Sequence, residues 1–254
     1  MSSDSSIGQA KIFQSLAPAS ACVVCPPSDC PVYANFEYRH LTVGAGVAIF
    51  HLASARVVVC YHSRDKYWFL PKGRRDANEE TGPGAEREGF EESGYRNRLL
   101  PISLSHRQPK PHNPAGKSMT PFVTEPIWTQ LVPQSPRSQY LLFWYIAETL
   151  PPDIEQSLNA QTKEQASSSS ENPYQYPPRY PDDLTLAARL KLEPQEYEPL
   201  HHPNTGVDDE EAQYVSHLLP INEALQKLKG SLQQTVVNQG WEGICLRHTM
   251  ENLT

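Results

Sequence analysis

Apolar, β-branched residues come in short runs along the first half of the chain. HLTVGAGVAIFHL (residues 40–52), ARVVVCYHS (55–63) and KYWFLPKG (66–73) predict three neighbouring strands, the first two split at Ser54 and the third stopped by Pro71 and Gly73. From Pro83 to Ser93 the pattern becomes that of a charged helix. Thr81 is placed to cap it, Pro83 suits its first turn and Gly94 its end. A further strand leads into SHRQPKPHNPAGKSMTP (105–121), where four prolines forbid regular structure. EPIWTQLV (125–132) and QYLLFWYIAETL (139–150) resume strand character. AQYVSHLLPI (212–221) predicts a returning strand, and residues 222–250 carry apolar positions at helical spacing with Asn222 as a cap. Strands with one helix in the middle and one at the end predict an α/β (α+β) sandwich rather than a doubly wound sheet.

Composition changes this picture in two places. Residues 151–180 are polar and rich in Ser and Pro, the composition of an insertion that stays disordered, and the interruption extends to about residue 204. The first 35 residues read as an extension ahead of a domain spanning 36–254. Within the extension, Cys22, Cys25 and Cys30 form C-x2-C-x4-C, which would hold zinc if His40 or another group supplied a fourth ligand; thiols in a Pro-rich extension are the plainer reading. Five cysteines and an amino terminus without a continuous apolar segment predict a reduced compartment, cytoplasmic or nuclear. No run approaches the ~18 apolar residues of a membrane span, so no membrane partner is expected.

The net charge of −7 is uneven. Residues 151–214 hold 13 acids against 4 Lys and Arg, which leaves the rest of the chain slightly basic. Residues 93–124 contain no acid but include Arg96, Arg98, Arg107, Lys110 and Lys117, a strip able to attract anions. The opposite anomaly lies just before it. Gly73–Tyr95 contains six glutamates, and Glu88, Glu91 and Glu92 stand at i, i+3 and i+4, neighbours on one helix face. Left alone they would repel by a few tenths of a kcal/mol per pair, so a cation should sit among them. Clustered carboxylates suit a hard divalent ion such as magnesium.

These residues resemble the signature of the Nudix hydrolases, G-x5-E-x7-R-E-U-x-E-E-x-G-U, where U is bulky and apolar. Gly73, Glu79, Arg87, Glu88, Glu91, Glu92 and Gly94 occupy the seven fixed positions, and Tyr95 fits the last. Gly89 departs from the pattern at a position normally bulky and apolar. YWFLPKG resembles the strand that leads into the box, VGAGVAIF the first core strand, and HLLPINEAL the strand-to-helix junction that closes the fold. The resemblance covers roughly residues 36–150 and 205–254.

It implies an α/β/α sandwich with a mixed central sheet, a loop-helix-loop that presents metals to a diphosphate, and a C-terminal helix. It also implies a divalent-metal-dependent pyrophosphohydrolase, a hydrolase of phosphorus-containing acid anhydrides, using Mg2+ or Mn2+. Glu88, Glu91 and Glu92 would hold the metal, with the carbonyl of Gly73. Arg87, in the catalytic group, would pair with Glu79 to hold the loop against the helix, and Gly94 would close the box structurally. A box glutamate is the favoured general base, with Glu210 or Glu211 the alternative. PKG followed by Arg74 and Arg75 resembles the variant in enzymes acting on dinucleoside polyphosphates and diphosphoinositol polyphosphates. Lys72, Arg74, Arg75, Arg107 and Lys110 would contact such a phosphate-rich small molecule. Two other classes stay open: an inactive domain that binds a ligand or protein, and an RNA-cap hydrolase. The basic track and clustered aromatics expected for nucleic acid are not evident. Oligomeric state is left open.

Overall fold

A computed structural model describes residues 33–109, 121–166, 174–194 and 196–253. Its centre is an eight-stranded mixed sheet. β1 (Leu41–His51) and β9 (Ser138–Thr149) run parallel through the middle, paired from Leu41–Gln139 to Phe50–Glu148. β2 (Arg56–His62) and β10 (Tyr214–Pro220) extend the sheet on the β1 side; β5 (Asn97–Leu99) and β8 (Trp128–Ser135) pair with β9. The third apolar run divides where Pro71 removes a ladder donor. β3 (Tyr67–Phe69) pairs with β2, whereas β4 (Lys72–Arg74) crosses to β1, so Gly73 lies inside a strand rather than ending one. A separate pair, β6 (Ile102–Ser103) and β7 (Phe122–Val123), follows β5.

Both faces of the central strands are covered, which explains why β1 and β9 read as nearly continuous apolar runs. On one face α4 (Ile221–Lys227) and α5 (Leu232–Glu251) bury Ile221, Ala224, Val236, Val237, Trp241 and Ile244 against Phe50, Val57, Val59, Trp144 and Ile146. The predicted terminal helix is therefore two. Ser231 caps the second by accepting from the Gln234 amide, while Asn222 lies within α4 and caps nothing. The other face carries α1 (Thr81–Ser93) over Ala45, Val47, Ile49, Val58, Tyr145 and Ala147. No helix among the described residues is long and apolar enough to cross a membrane.

The polar segment after β9 is built into this body. α2 (Pro152–Ala166) is anchored by Arg96, whose Nη1 lies 2.9 Å from Glu155 Oε1; Glu155 also meets His202 Nε2 at 2.7 Å. α3 (Leu186–Leu190) sends Arg189 into the interior, where Nε lies 2.8 Å from Glu148 and Nη2 2.7 Å from Glu193. Arg98 holds the other oxygen of Glu148 at 2.7 Å. Composition read this segment as disordered because its apolar anchors, Leu158, Tyr180, Leu186 and Leu190, are sparse among polar residues and its other attachments are ion pairs. Two cations of the acid-free strip, Arg96 and Arg98, are thereby neutralised internally.

Gly89 has a local cause. A Cβ there would stand 2.6 Å from Asn97 Nδ2 and 2.8 Å from Val47 Cγ1, so α1 approaches the sheet more closely than any side chain would permit. Asn97 cannot give way cheaply, since its amide donates to the Glu86 carbonyl at 2.9 Å. Restoring a bulky residue with Gly89→Leu should lower stability by about 1–3 kcal/mol through overpacking, despite leucine's better helix propensity. Thermal unfolding checks this; a raised Tm would show that the gap is not closed.

Candidate active site

The site is built on β4, the loop after it and α1. Glu80 precedes the helix without capping it, and Thr81, predicted as a cap, instead pairs its hydroxyl with Tyr145 Oη at 2.7 Å. The far end stops as the sequence predicts: Gly94 takes φ +71°, and its amide donates to the Phe90 carbonyl at 2.7 Å.

Arg87 is the hub of the loop-helix unit. Its Nε and Nη2 donate to the two oxygens of Glu79 at 3.0 and 2.9 Å, and Nη2 also reaches the Arg74 carbonyl at 2.9 Å. Its Nη1 lies 2.6 Å from Glu91 Oε2 and 3.0 Å from Glu88 Oε1. Burial would raise the Glu79 carboxyl, but the hydrogen bonds from Arg87 and from Tyr176 Oη, 2.6 Å away, hold it below its ordinary value.

Glu88 and Glu92 turn to the other side. Ligand oxygens of Glu88, Glu92 and Glu211 all lie within 4.8 Å of one another. The Glu88 carboxylate fills the space where a Cβ of residue 73 would be, so any side chain at position 73 would displace that carboxylate. Glu92 Oε2 accepts from the Lys72 amide at 2.7 Å. Burial pushes the Glu88 carboxyl up to about 7, against the pull of Arg87 and with repulsion from Glu91 adding to the rise. It pushes Glu92 up to about 8, where nearby Lys72 opposes the rise and Glu88 and Glu211 reinforce it. Oxygen-only donors, crowded and short of positive charge, match the preferences of a hard divalent cation.

Glu91 stands apart from this group of three, its carboxylate on Arg87 and its carbonyl accepting from Thr205 Oγ1 at 2.8 Å. Glu211, just before β10, joins it; in sequence it sat in an acid run with the look of a solvated surface. Glu210 is exposed. Of the predicted substrate contacts, Lys72 is half-buried beside Glu92, and Arg74 is exposed. Arg75 is partly committed to the loop, its Nη1 donating to the Glu79 carbonyl at 2.8 Å. Arg107 is exposed in the loop after β6. Lys110, Lys117, Cys22, Cys25 and Cys30 lie outside the described residues. Tyr176 was missed altogether, since nothing local marks a tyrosine 97 positions from its partner.

No family model and no curated protein matches the sequence. Among solved structures it is similar to a Nudix-family hydrolase from Clostridium perfringens, 24% identical over 42% of this chain and 68% of that one, with a TM-score of 0.31. It is similar to a MutT Nudix hydrolase from Burkholderia pseudomallei, 18% identical over 43% and 68%, with a TM-score of 0.29. A C. elegans Ap4A hydrolase in a binary complex overlaps 79% of this chain and 95% of its own at 13% identity and a TM-score of 0.36. Overlaps of this size leave the functional reading to the site itself. In its box and its mixed α+β fold the chain resembles the Nudix hydrolases.

The raised carboxyls give the metal-free protein a characteristic pH dependence. Glu92 binds its proton more tightly folded than unfolded, so its contribution is full below the unfolded value near 4.5 and is lost as pH rises through about 8. Stability should therefore fall between these limits, and Glu92→Gln should flatten the fall and leave the metal-free variant more stable than wild type at pH 8. Chemical denaturation in chelator across that range checks it; parallel slopes for the two proteins would contradict it.

Proposed function

We propose that the chain is a Nudix-type pyrophosphohydrolase that uses a divalent metal, Mg2+ or Mn2+, to cleave a diphosphate linkage in a phosphate-rich small molecule. The single observation that carries this reading is the convergence of Glu88 and Glu92 of α1 with Glu211 beside the bare Cα of Gly73, while neighbouring Glu91 is neutralised by Arg87.

Glu88 and Glu92 would hold the metal, with Glu211 closing the group and the Gly73 carbonyl on its rim. When bound, the metal would neutralise charge on the phosphates and acidify an attacking water. In hydrolysis that water's oxygen forms a bond to one phosphorus, the bond from this phosphorus to the bridging oxygen breaks, and the water's proton passes to a carboxylate. A box glutamate is the favoured acceptor, with Glu211 as the alternative. Arg87 acts by position: bound to Glu79 on one side and to Glu88 and Glu91 on the other, it fixes the helix acids relative to the loop. Lys72 lies beside Glu92 and Arg74 extends exposed from the same strand, which supports a ligand with several phosphates. Dinucleoside polyphosphates and diphosphoinositol polyphosphates are the favoured classes.

Purified protein with Mg2+ and then Mn2+, followed by phosphorus NMR against diadenosine polyphosphates, diphosphoinositol polyphosphates, nucleotide sugars and dinucleotide cofactors, tests this. The expected outcome is cleavage of a polyphosphate that Glu92→Gln reduces by about 100-fold or more, the scale of a lost electrostatic group in a catalytic site. Arg107→Glu should then raise KM for that polyphosphate more than for a nucleotide sugar. Absence of turnover across the panel, or turnover indifferent to Glu92→Gln, would overturn the proposal.

A further inference from the structure

Resting on that reading, we propose that Tyr176 is a positioning residue for Glu88 of the metal-binding group, the tip of a buttress that the polar segment after β9 builds against the box. Tyr176 Oη donates to Glu79 Oε1 at 2.6 Å, a charge-assisted bond to a carboxylate whose side chain is only 8% exposed. From Glu79 the chain of contacts is short. Both Glu79 oxygens receive Arg87, and Arg87 Nη1 meets Glu88 and Glu91. Tyr176 thus sets the carboxylate that sets the guanidinium that orients two box acids.

The same segment grips the outer side of α1 at several other points. Tyr174 packs on Phe90 with ring centroids 5.6 Å apart and crosses Tyr176 edge-on at 4.9 Å. Arg96, held by Glu155 of α2, stands with its guanidinium 5.4 Å from the centroid of the Phe90 ring, and His202 meets Phe90 edge-on at 5.4 Å. The His202 amide donates to the Gly94 carbonyl at 2.8 Å. Phe90 occupies one of the variable positions of the box, and Tyr174, His202 and Arg96, which contact its ring, all lie outside the box. These apolar contacts fix where the segment lies; the Tyr176 hydroxyl is its polar contact with the loop acid. Tyr176 itself is 49% exposed, so removing its hydroxyl leaves no buried gap.

Tyr176→Phe in the full chain tests this with three readouts. Mn2+ affinity is measured by electron paramagnetic resonance without substrate, kcat and KM with diadenosine tetraphosphate, and Tm by thermal unfolding. The expected result is a weakening of Mn2+ binding and a fall in kcat, each about 5- to 20-fold, as for loss of one hydrogen bond to a charged group. KM should stay within about twofold, because the substrate contacts are untouched, and Tm should move by no more than about 2 °C, as for a surface substitution. Unchanged Mn2+ affinity would overturn the proposal, as would an affinity loss that merely tracks a large drop in Tm. If wild type binds Mn2+ but hydrolyses nothing, the hydrolase reading fails, and the two affinities alone decide the role of Tyr176.

Discussion

Two bare Cα atoms set the geometry on which the rest of the site depends. At Gly89 the absence of a side chain lets α1 press against Val47 and Asn97 of the sheet; at Gly73 it lets the Glu88 carboxylate lie against β4. A helix seated this closely takes Glu88 and Glu92 out of water with it, and removing carboxylates from water disfavours their charge. Lys72 and Arg87 supply positive charge nearby, but Arg87 is shared among Glu79, Glu88 and Glu91. What remains is a concentrated, partly uncompensated group of oxygens, whose mutual repulsion a bound divalent cation would relieve.

The fold protects this arrangement from both sides. Beneath it, the parallel pair β1 and β9 forms a rigid floor, buried on both faces by two apolar clusters. Outside it, the Tyr174–Tyr176 and His201–Thr205 stretches lie against α1 and its end, with Arg96 over Phe90. This outer cover is tied down by a buried ion pair, Arg96 with Glu155, which also receives His202. Removing one partner of that pair leaves the other charge stranded, which costs about 3–5 kcal/mol.

Much of the central sheet was legible in the sequence because burial on both faces demands unbroken apolar runs, as in VGAGVAIF and LLFWYIA. α1 was legible through Gly94 at its end and the spacing of its acids. What the sequence concealed has a common physical origin. Arg96, Arg98 and Arg189 look like solvated charge until their partners, 40 or more positions away, are brought to them. Glu211 was hidden in the same way within the run DDEE, and Tyr176 within a Pro-rich stretch. Pro71 and Gly73 announced a break in the third strand run but not the change of partner from β2 to β1 across it. Local pattern encodes burial well and encodes long-range polar pairing hardly at all.

The close seating of α1 would create a cation site from Glu88, Glu92 and Glu211. The most direct test is a Mn2+ titration of the wild-type protein and of Glu92→Gln near neutral pH, with the fold of both verified by circular dichroism. Wild type should bind Mn2+ specifically and saturably, and the substitution should weaken that binding by at least about tenfold, as expected when one of few anionic ligands is lost. Equal Mn2+ affinity in the two folded proteins would contradict it.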